Sequence, residues 1–202
     1  EDIANHMTVG IEFEGVLKRG LLEFAATRPL ESPAWRYAYH EVIEEAQHSL
    51  MFREFVKRSR VSTRRLEKHQ AGAARRIAGH GRTFPELFFL FVLAGEEPID
   101  FVQRQMIDSS REIHPLLERI MRIHITEEAR HLCFARELLR VNVPKLGRLR
   151  MLRLQASVPP HLAPEDDRPS DHEGGASLDH APPYGSNGWT ALQLLATHGD
   201  RS

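Results

Sequence analysis

The sequence predicts an all-α protein in which a four-helix bundle with a long crossover is followed by a disordered tail. Over the first three quarters of the chain, apolar residues recur at spacings of three and four, as on one face of a helix. Residues 27–33 and 108–115 interrupt this pattern with helix breaks. Further on, prolines and glycines become frequent, and the segment cannot bury enough surface to fold. We therefore predict a helical domain over residues 1–152 and a low-complexity, largely disordered tail over 153–202.

Each of the four helices has its own signal. The first carries apolar residues at helical spacing between positions 16 and 24. The second is predicted over about 33–55, because Ser32 is a suitable N-cap and a proline follows it at the first helical position. The third is predicted over about 85–107 and the fourth over about 116–141.

The connection between the second and third helices is strongly basic. Residues 57–83 contain nine Lys or Arg and a single Glu. A run of like charges is usually a solvated face, so we predict a solvated crossover rather than an anion-binding arm.

Composition limits the classes of partner. The chain has 202 residues, and 27 Lys or Arg against 28 Asp or Glu give a net charge of −1, so no overall field attracts nucleic acid or a membrane surface. The longest apolar run, 87–95, is about half as long as a membrane span, and no signal-peptide pattern is present. A single cysteine, Cys133, excludes an intramolecular disulfide and is consistent with a reducing compartment. We expect a cytoplasmic protein without nucleic-acid or membrane partners.

A repeated motif carries the chemistry. EEAQH at 44–48 on the second helix recurs as EEARH at 127–131 on the fourth. Each copy places a glutamate and a histidine three residues apart on one helix face, as Glu45 with His48 and Glu128 with His131. Two copies with the same phase relative to their apolar neighbours predict a metal site in the core of the bundle.

Such a site needs one further carboxylate from each of the other two helices. In an antiparallel hairpin, residues at the same height are equidistant from the turn. Glu97 lies 31 residues before Glu128, and Glu14 lies 31 residues before Glu45; both midpoints fall within the predicted breaks. Glu14 and Glu97 are therefore predicted to complete the set of four glutamates.

Each of these two positions has a neighbouring rival. Glu12 shares its helix face with charged residues, and Glu96 shares its face with Asp100 and Gln103. Both rivals are therefore expected to face solvent.

Four glutamates inside a helical core would repel each other, and two divalent cations would neutralise them. Mixed carboxylate and imidazole ligation suits iron, with manganese as an alternative, better than structural zinc. His124 lies on the same stripe as Glu128 and His131, whereas the corresponding position four residues before Glu45 is Glu41. A third histidine would make the two metal ions inequivalent.

The order of these residues resembles the ferritin-like diiron oxygenases typified by p-aminobenzoate N-oxygenase. The similarity covers roughly residues 10–145 and includes the local sequences around both motifs, EEAQHSLMF and HITEEARHLCFAREL. The resemblance implies a dinuclear non-haem iron centre that activates O2 and oxidises an arylamine to a hydroxylamine and then to a nitro group. The implied iron ligands are Glu14, Glu45, His48, Glu97, His124, Glu128 and His131. Which of the glutamates bridge the irons stays open.

The resemblance also implies partners. Electrons are expected from an external reductase or ferredoxin, since no flavin, nicotinamide or iron–sulfur motif is found in the sequence. A homodimer through the apolar third helix is a further expectation.

Family members extend further upstream, so we expect the chain to be a fragment, and its tail departs from the family pattern. Two alternatives are another diiron or manganese–iron oxidase similar to the ribonucleotide reductase small subunit, and a non-catalytic iron-binding helical bundle.

Overall fold

The computed structural model describes residues 2–60, 68–109 and 113–157, in which helices are joined by short turns and no strand occurs. The all-α prediction is therefore confirmed, while the predicted disordered tail lies almost entirely outside the described residues. The six α-helices are α1 (Asp2–Ala25), α2 (Pro33–Ser59), α3 (Lys68–Thr83), α4 (Pro85–Asp108), α5 (Pro115–Asn142) and α6 (Arg148–Ser157), with a short 3-10 turn at Val143–Lys145.

The chain divides into two compact units, Glu1–Ala135 and Arg136–Ser202. The first contains α1 to α4 and most of α5. In the second, the described part includes the end of α5 and the whole of α6, and Leu139 and Leu154 are buried there. The predicted domain boundary after residue 152 stays a prediction. Within the described residues, no helix is long and apolar enough to cross a membrane.

The hairpin of α1 and α2 forms as its sequence predicts. The Ser32 side chain accepts a hydrogen bond from the backbone N–H of Trp35 at 3.2 Å, and Pro33 occupies the first turn of α2. This cap satisfies an N–H group that the helix itself leaves unpaired. The two helices then pack along each other, and Lys18 of α1 donates to the carbonyl of Glu45 at 3.1 Å and to the hydroxyl of Ser49. These contacts fix the height of α1 against α2.

Two apolar layers border the middle of the first unit. One surrounds Phe52 and Met121, near the N-terminus of α1. The other is aromatic and lies towards the α1–α2 turn, where Phe89 packs edge-on against Phe24 and Phe134 at ring distances of 5.1 and 5.6 Å. The helix positions between these layers carry the polar residues of the predicted site.

The basic crossover contains a helix, which the prediction of a solvated connection missed. In α3, Ala74, Ala78 and Gly81 are buried, and the two alanines pack against Val16 of α1. Arginines occupy the exposed face of the same helix. The small residues are separated by four and three positions, so they form one narrow stripe on which a neighbouring backbone can approach closely. Residues 61–67 of the crossover lie outside the described part.

Replacement of Gly81 by alanine should lower the free energy of unfolding by about 1–3 kcal/mol, as expected for overpacking. A Cβ at this position would overlap the backbone carbonyl oxygen of Gly20, which cannot move aside as a side chain would. Gly79 of the same helix meets no atom within 4 Å, so Gly79→Ala is the matched control and should stabilise by about 0.5–1 kcal/mol through helix propensity. Urea unfolding of both variants measures the difference, and equal effects would contradict the close packing of α3 on α1.

Candidate metal centre

Eight ionisable side chains, each 1% exposed or less, lie together between the two apolar layers. Their potential ligand atoms form four overlapping groups of three, within which all atoms lie no more than 4.8 Å apart. The groups are Glu14, His48 and His124; Glu41, Glu45 and His131; Glu45, His48 and Glu128; and Glu96, His124 and Glu128.

The two Glu-x-x-His pairs meet at the centre of this cluster, as predicted from their repetition. His48 Nδ1 lies 3.1 Å from Glu45 Oε2 and 3.4 Å from Glu128 Oε1. His131 Nδ1 lies 3.1 Å from Glu128 Oε1 and 3.1 Å from Glu45 Oε1. Each of the two glutamates therefore reaches both histidines, and Glu45 does so with a different oxygen for each.

The first glutamate of each motif has a role that the sequence analysis missed. Glu127 Oε2 lies 2.7 Å from His48 Nε2, and Glu44 Oε2 lies 2.8 Å from His131 Nε2, so each carboxylate crosses to the histidine of the other motif. Arg130 holds Glu44 in place at 2.6 Å. These contacts turn each Nδ1 towards the central carboxylates, as outer carboxylates do behind metal-bound imidazoles. The doubled glutamate in EEAQH and EEARH was the available signal.

His124 joins the cluster in a different orientation. Its Nε2 faces inward, 3.6 Å from Glu14 Oε1, while its Nδ1 lies 3.1 Å from Gln103 Oε1. Burial lowers the pKa of His124 to about 3, so the ring is neutral and can donate its Nδ1 hydrogen to Gln103. The lone pair on Nε2 is then directed into the cluster.

On α1, the structure brings Glu14 into the cluster. Glu14 Oε1 also lies 3.7 Å from His48 Nδ1, whereas Glu12 is only partly buried and belongs to none of the four groups.

On α4, the structure brings Glu96 into the cluster instead of Glu97. Glu96 is 1% exposed, and its ligand atoms lie near those of His124 and Glu128. Glu97 is partly buried and belongs to none of the groups. The expectation that Glu96 faces solvent is therefore wrong, and the structure places Glu96, not Glu97, in the cluster where Glu97 was predicted.

The error has a physical cause. Distance from the turn fixes the height of a residue along the helix, which changes by about 1.5 Å per residue, but not its direction, which changes by about 100°. Phe101, which follows Glu97 by one turn, is 43% exposed, while Asp100 and Gln103 are buried with Glu96. A polar stripe on α4 faces the interior because its partners there are polar.

Electrostatics shows what the cluster lacks. Burial, reinforced by neighbouring carboxylates, raises the pKa values of Glu14 and Glu96 well above the usual range of a glutamate. Both oxygens of Glu96, and one each of Glu14 and Glu128, have no hydrogen-bond partner among the described residues. Converging carboxylate oxygens without donors are suited to binding cations.

A cavity of about 440 Å³ reaches the cluster from one side, where Glu14 and His124 form part of its wall. Most of its lining is apolar and includes Met106 and Met121. The cavity touches no other member of the cluster.

Comparison with known proteins identifies the family. Residues 1–163 match the family model of p-aminobenzoate N-oxygenase AurF. The chain belongs to the AurF family. The resemblance seen in the sequence is thereby confirmed, and with it the ferritin-like fold class.

Relatives of this AurF-family chain include uncharacterized proteins of Mycobacterium bovis and of two strains of Mycobacterium tuberculosis, each 40% identical over 146 residues. The matched region covers 72% of this chain and 43% of each relative, so the chain spans less than half of their length. No solved structure matches it significantly.

In the metal-free protein, we expect the free energy of unfolding to fall as the pH rises above about 6.5, the usual pKa of histidine. Although burial opposes it, hydrogen bonds and charges of neighbouring carboxylates raise the pKa of His48, and that of His131 to about 12. Both rings therefore keep a proton in the folded state that they lose in the unfolded chain, so their stabilisation declines with rising pH. The raised pKa values of Glu14 and Glu96 act in the same direction.

Thermal unfolding in the presence of a chelator, between about pH 6.5 and 8.5, tests this expectation. The lowered pKa of His124 affects stability only below this range. Saturating Mn²⁺ serves as the control, because bound metal displaces these protons and should remove the decline. A metal-free melting temperature that rises over this interval would contradict the assignment of protons to His48 and His131.

Proposed function

We propose that the chain holds a dinuclear non-haem iron centre that activates O2 for the oxidation of a small molecule. The observation that carries the proposal is the buried cluster, in which carboxylate oxygens without donors converge on three imidazoles. The proposed ligands are Glu14, Glu45, His48, Glu96, His124, Glu128 and His131.

Charge supports two cations rather than one. Each unpaired carboxylate buried in a core costs several kcal/mol, and two divalent ions neutralise the four glutamates of this set. Carboxylate and imidazole donors suit iron, with manganese as the alternative, whereas structural zinc favours thiolate-rich tetrahedral sites. The only cysteine, Cys133, is exposed and outside the cluster.

The contacts divide the ligands between two positions. Glu14, His48 and His124 form one group and would hold the metal beside the cavity. Glu96, on which the charge of His131 acts, would serve the second metal together with His131, and its ligand atoms also lie near those of His124 and Glu128. Glu45 and Glu128 reach both histidines of the repeated motif, so they would provide ligands beside each of them.

Several side chains prepare this site without binding metal. Glu127, Glu44 and Gln103 each pair with the ring nitrogen that faces away from the centre, so they hold the planes of the three imidazoles. Such outer partners typically change metal affinity by about 10–100-fold when they are removed.

A reduced diiron centre, when bound, supplies the chemistry that activates O2, and the chain supplies its ligands and the cavity beside it. The apolar cavity beside Glu14 and His124 would exclude bulk water and admit a molecule of the size of a substituted benzene. The family supports an arylamine, oxidised at nitrogen to a hydroxylamine and a nitro group, as the proposed substrate. The reaction consumes electrons, and we propose that an external reductase or ferredoxin provides them; the homodimer stays a prediction.

One observation favours the ribonucleotide-reductase-like alternative. The hydroxyl of Tyr37 is buried without a hydrogen-bond partner among the described residues, and the ring stacks on Phe134 at 4.0 Å. Burial raises the pKa of Tyr37, and the nearby carboxylate of Glu41 raises it further. A tyrosyl radical detected by electron paramagnetic resonance after exposure to O2, and absent in Tyr37→Phe, would favour this oxidase over the oxygenase.

The proposal predicts about two iron ions per chain, because two divalent ions balance the four carboxylates. His131→Ala and Glu128→Ala should lose most of the iron, since each removes a donor from the centre. Glu54→Gln is the control, because Glu54 lies on α2 outside the cluster and pairs with Arg58 at the surface. Metal analysis of the purified proteins gives the ratio, and a folded wild-type chain that binds no metal would refute the centre.

With the centre present, oxidation of an arylamine by the reduced protein in air separates an oxygenase from an iron store.

Narrowing the cavity should affect the substrate and not the metal. Ile99→Phe enlarges a partly buried side chain of the wall, so oxidation of a bulky arylamine should fall about tenfold or more, equivalent to about 1.4 kcal/mol. Iron content should not change. Ile43→Phe makes the same substitution at a position that is 58% exposed and outside the cavity. If both variants oxidise bulky and small arylamines as the wild type does, the cavity is not the substrate site.

A further inference from the structure

Glu41 is a buried carboxylate that the seven proposed ligands leave unused. It lies on α2 one turn before Glu45 and is 1% exposed. Its Oε2 has no hydrogen-bond partner among the described residues. The ligand atoms of Glu41, Glu45 and His131 lie within 4.8 Å of one another. The carboxylate is therefore directed into the cluster and not towards solvent.

The positively charged side chain that acts on Glu41, His131, is shared with other carboxylates. The charged groups that act on it are His131, which favours the ionised form, and Glu45, Glu128 and Glu44, which oppose it. His131 already lies between Glu44, Glu45 and Glu128. Arg130 also pairs with Glu44, but the shared charge of His131 cannot neutralise Glu41, Glu45 and Glu128 together, so Glu41 remains a buried group in need of positive charge.

The approximate twofold symmetry of the site gives Glu41 a counterpart. His124 stands four residues before Glu128 on α5, as Glu41 stands four residues before Glu45 on α2. Both side chains lie beside the histidine of the opposite motif: His124 groups with His48, and Glu41 groups with His131. The same crossing relates Glu127 to His48 and Glu44 to His131.

We propose that Glu41 is a further ligand, bound to the metal that Glu96 and His131 hold. The inference rests on the proposed diiron centre. It gives the two metals different donors: Glu14, His48 and His124 on the cavity side, and Glu41, Glu96 and His131 on the other. The second set contains more oxygen and more negative charge, so it favours a harder and more highly charged ion.

Anaerobic titration of the chelator-treated chain with Mn²⁺, and in parallel with Fe²⁺, tests the assignment. Wild type and the Glu54→Gln control should bind two ions per chain. Glu41→Gln, which keeps the shape and removes the charge, should bind one ion as before and the other at least tenfold more weakly, since even outer partners of ligands contribute about 10–100-fold. Manganese spectra should then change from those of a coupled pair to those of a single ion at equal loading.

The outcomes separate this inference from the function on which it rests. If the wild-type chain binds no metal, the diiron proposal fails and the Glu41 assignment fails with it. If wild type binds two ions and Glu41→Gln binds both with unchanged affinity and unchanged spectra, only the assignment of Glu41 is overturned.

Thermal unfolding distinguishes a ligand from a structural group. Without metal, Glu41→Gln should melt at the same temperature as wild type or higher, because the variant removes one of several repelling carboxylates. Addition of Mn²⁺ should raise its melting temperature less than it raises that of wild type. The opposite pattern, a lower metal-free melting temperature with a full response to Mn²⁺, would show that Glu41 supports the fold and would overturn the inference.

Discussion

The burial of carboxylates in the middle of a helical unit is the constraint on which the rest of the structure depends. Apolar layers on both sides exclude water, so the charges must be compensated within the cluster itself. The surrounding structure brings them to one height: Ser32 fixes the start of α2, and Lys18 joins α1 to the backbone of α2 beside Glu45. The fold thus concentrates a charge that only cations neutralise well, and a cation in turn would stabilise the fold.

The positions of four helices and the two repeated motifs could be predicted because both depend on spacing along one chain. A glutamate and a histidine three residues apart share a helix face whatever the neighbouring helices do. The choice between Glu96 and Glu97 was different, because it depends on how α4 is rotated about its own axis. That rotation is decided by contacts with other helices, which leave Phe101 exposed and bury Glu96 with Asp100 and Gln103.

Two further features depended on information that local pattern does not contain. The α3 stripe consists of alanine and glycine, which carry little hydrophobic signal, and it becomes a packing surface only because Gly20 of α1 presents its backbone there. Glu44 and Glu127 are adjacent to predicted ligands, yet each pairs with a histidine more than seventy positions away. Partners across a bundle follow from the register between α2 and α5, which single-chain periodicity does not specify.

The crossed pairing of Glu44 with His131 and of Glu127 with His48 also couples the motions of two helices to the cluster. Each imidazole is carried by one helix and oriented from the other. A displacement of α5 along α2 would therefore act on both contacts, and a slide of one residue, about 1.5 Å, would lengthen both beyond hydrogen-bond distance. A shift of either helix would consequently change the orientation of the imidazoles on both sides of the site.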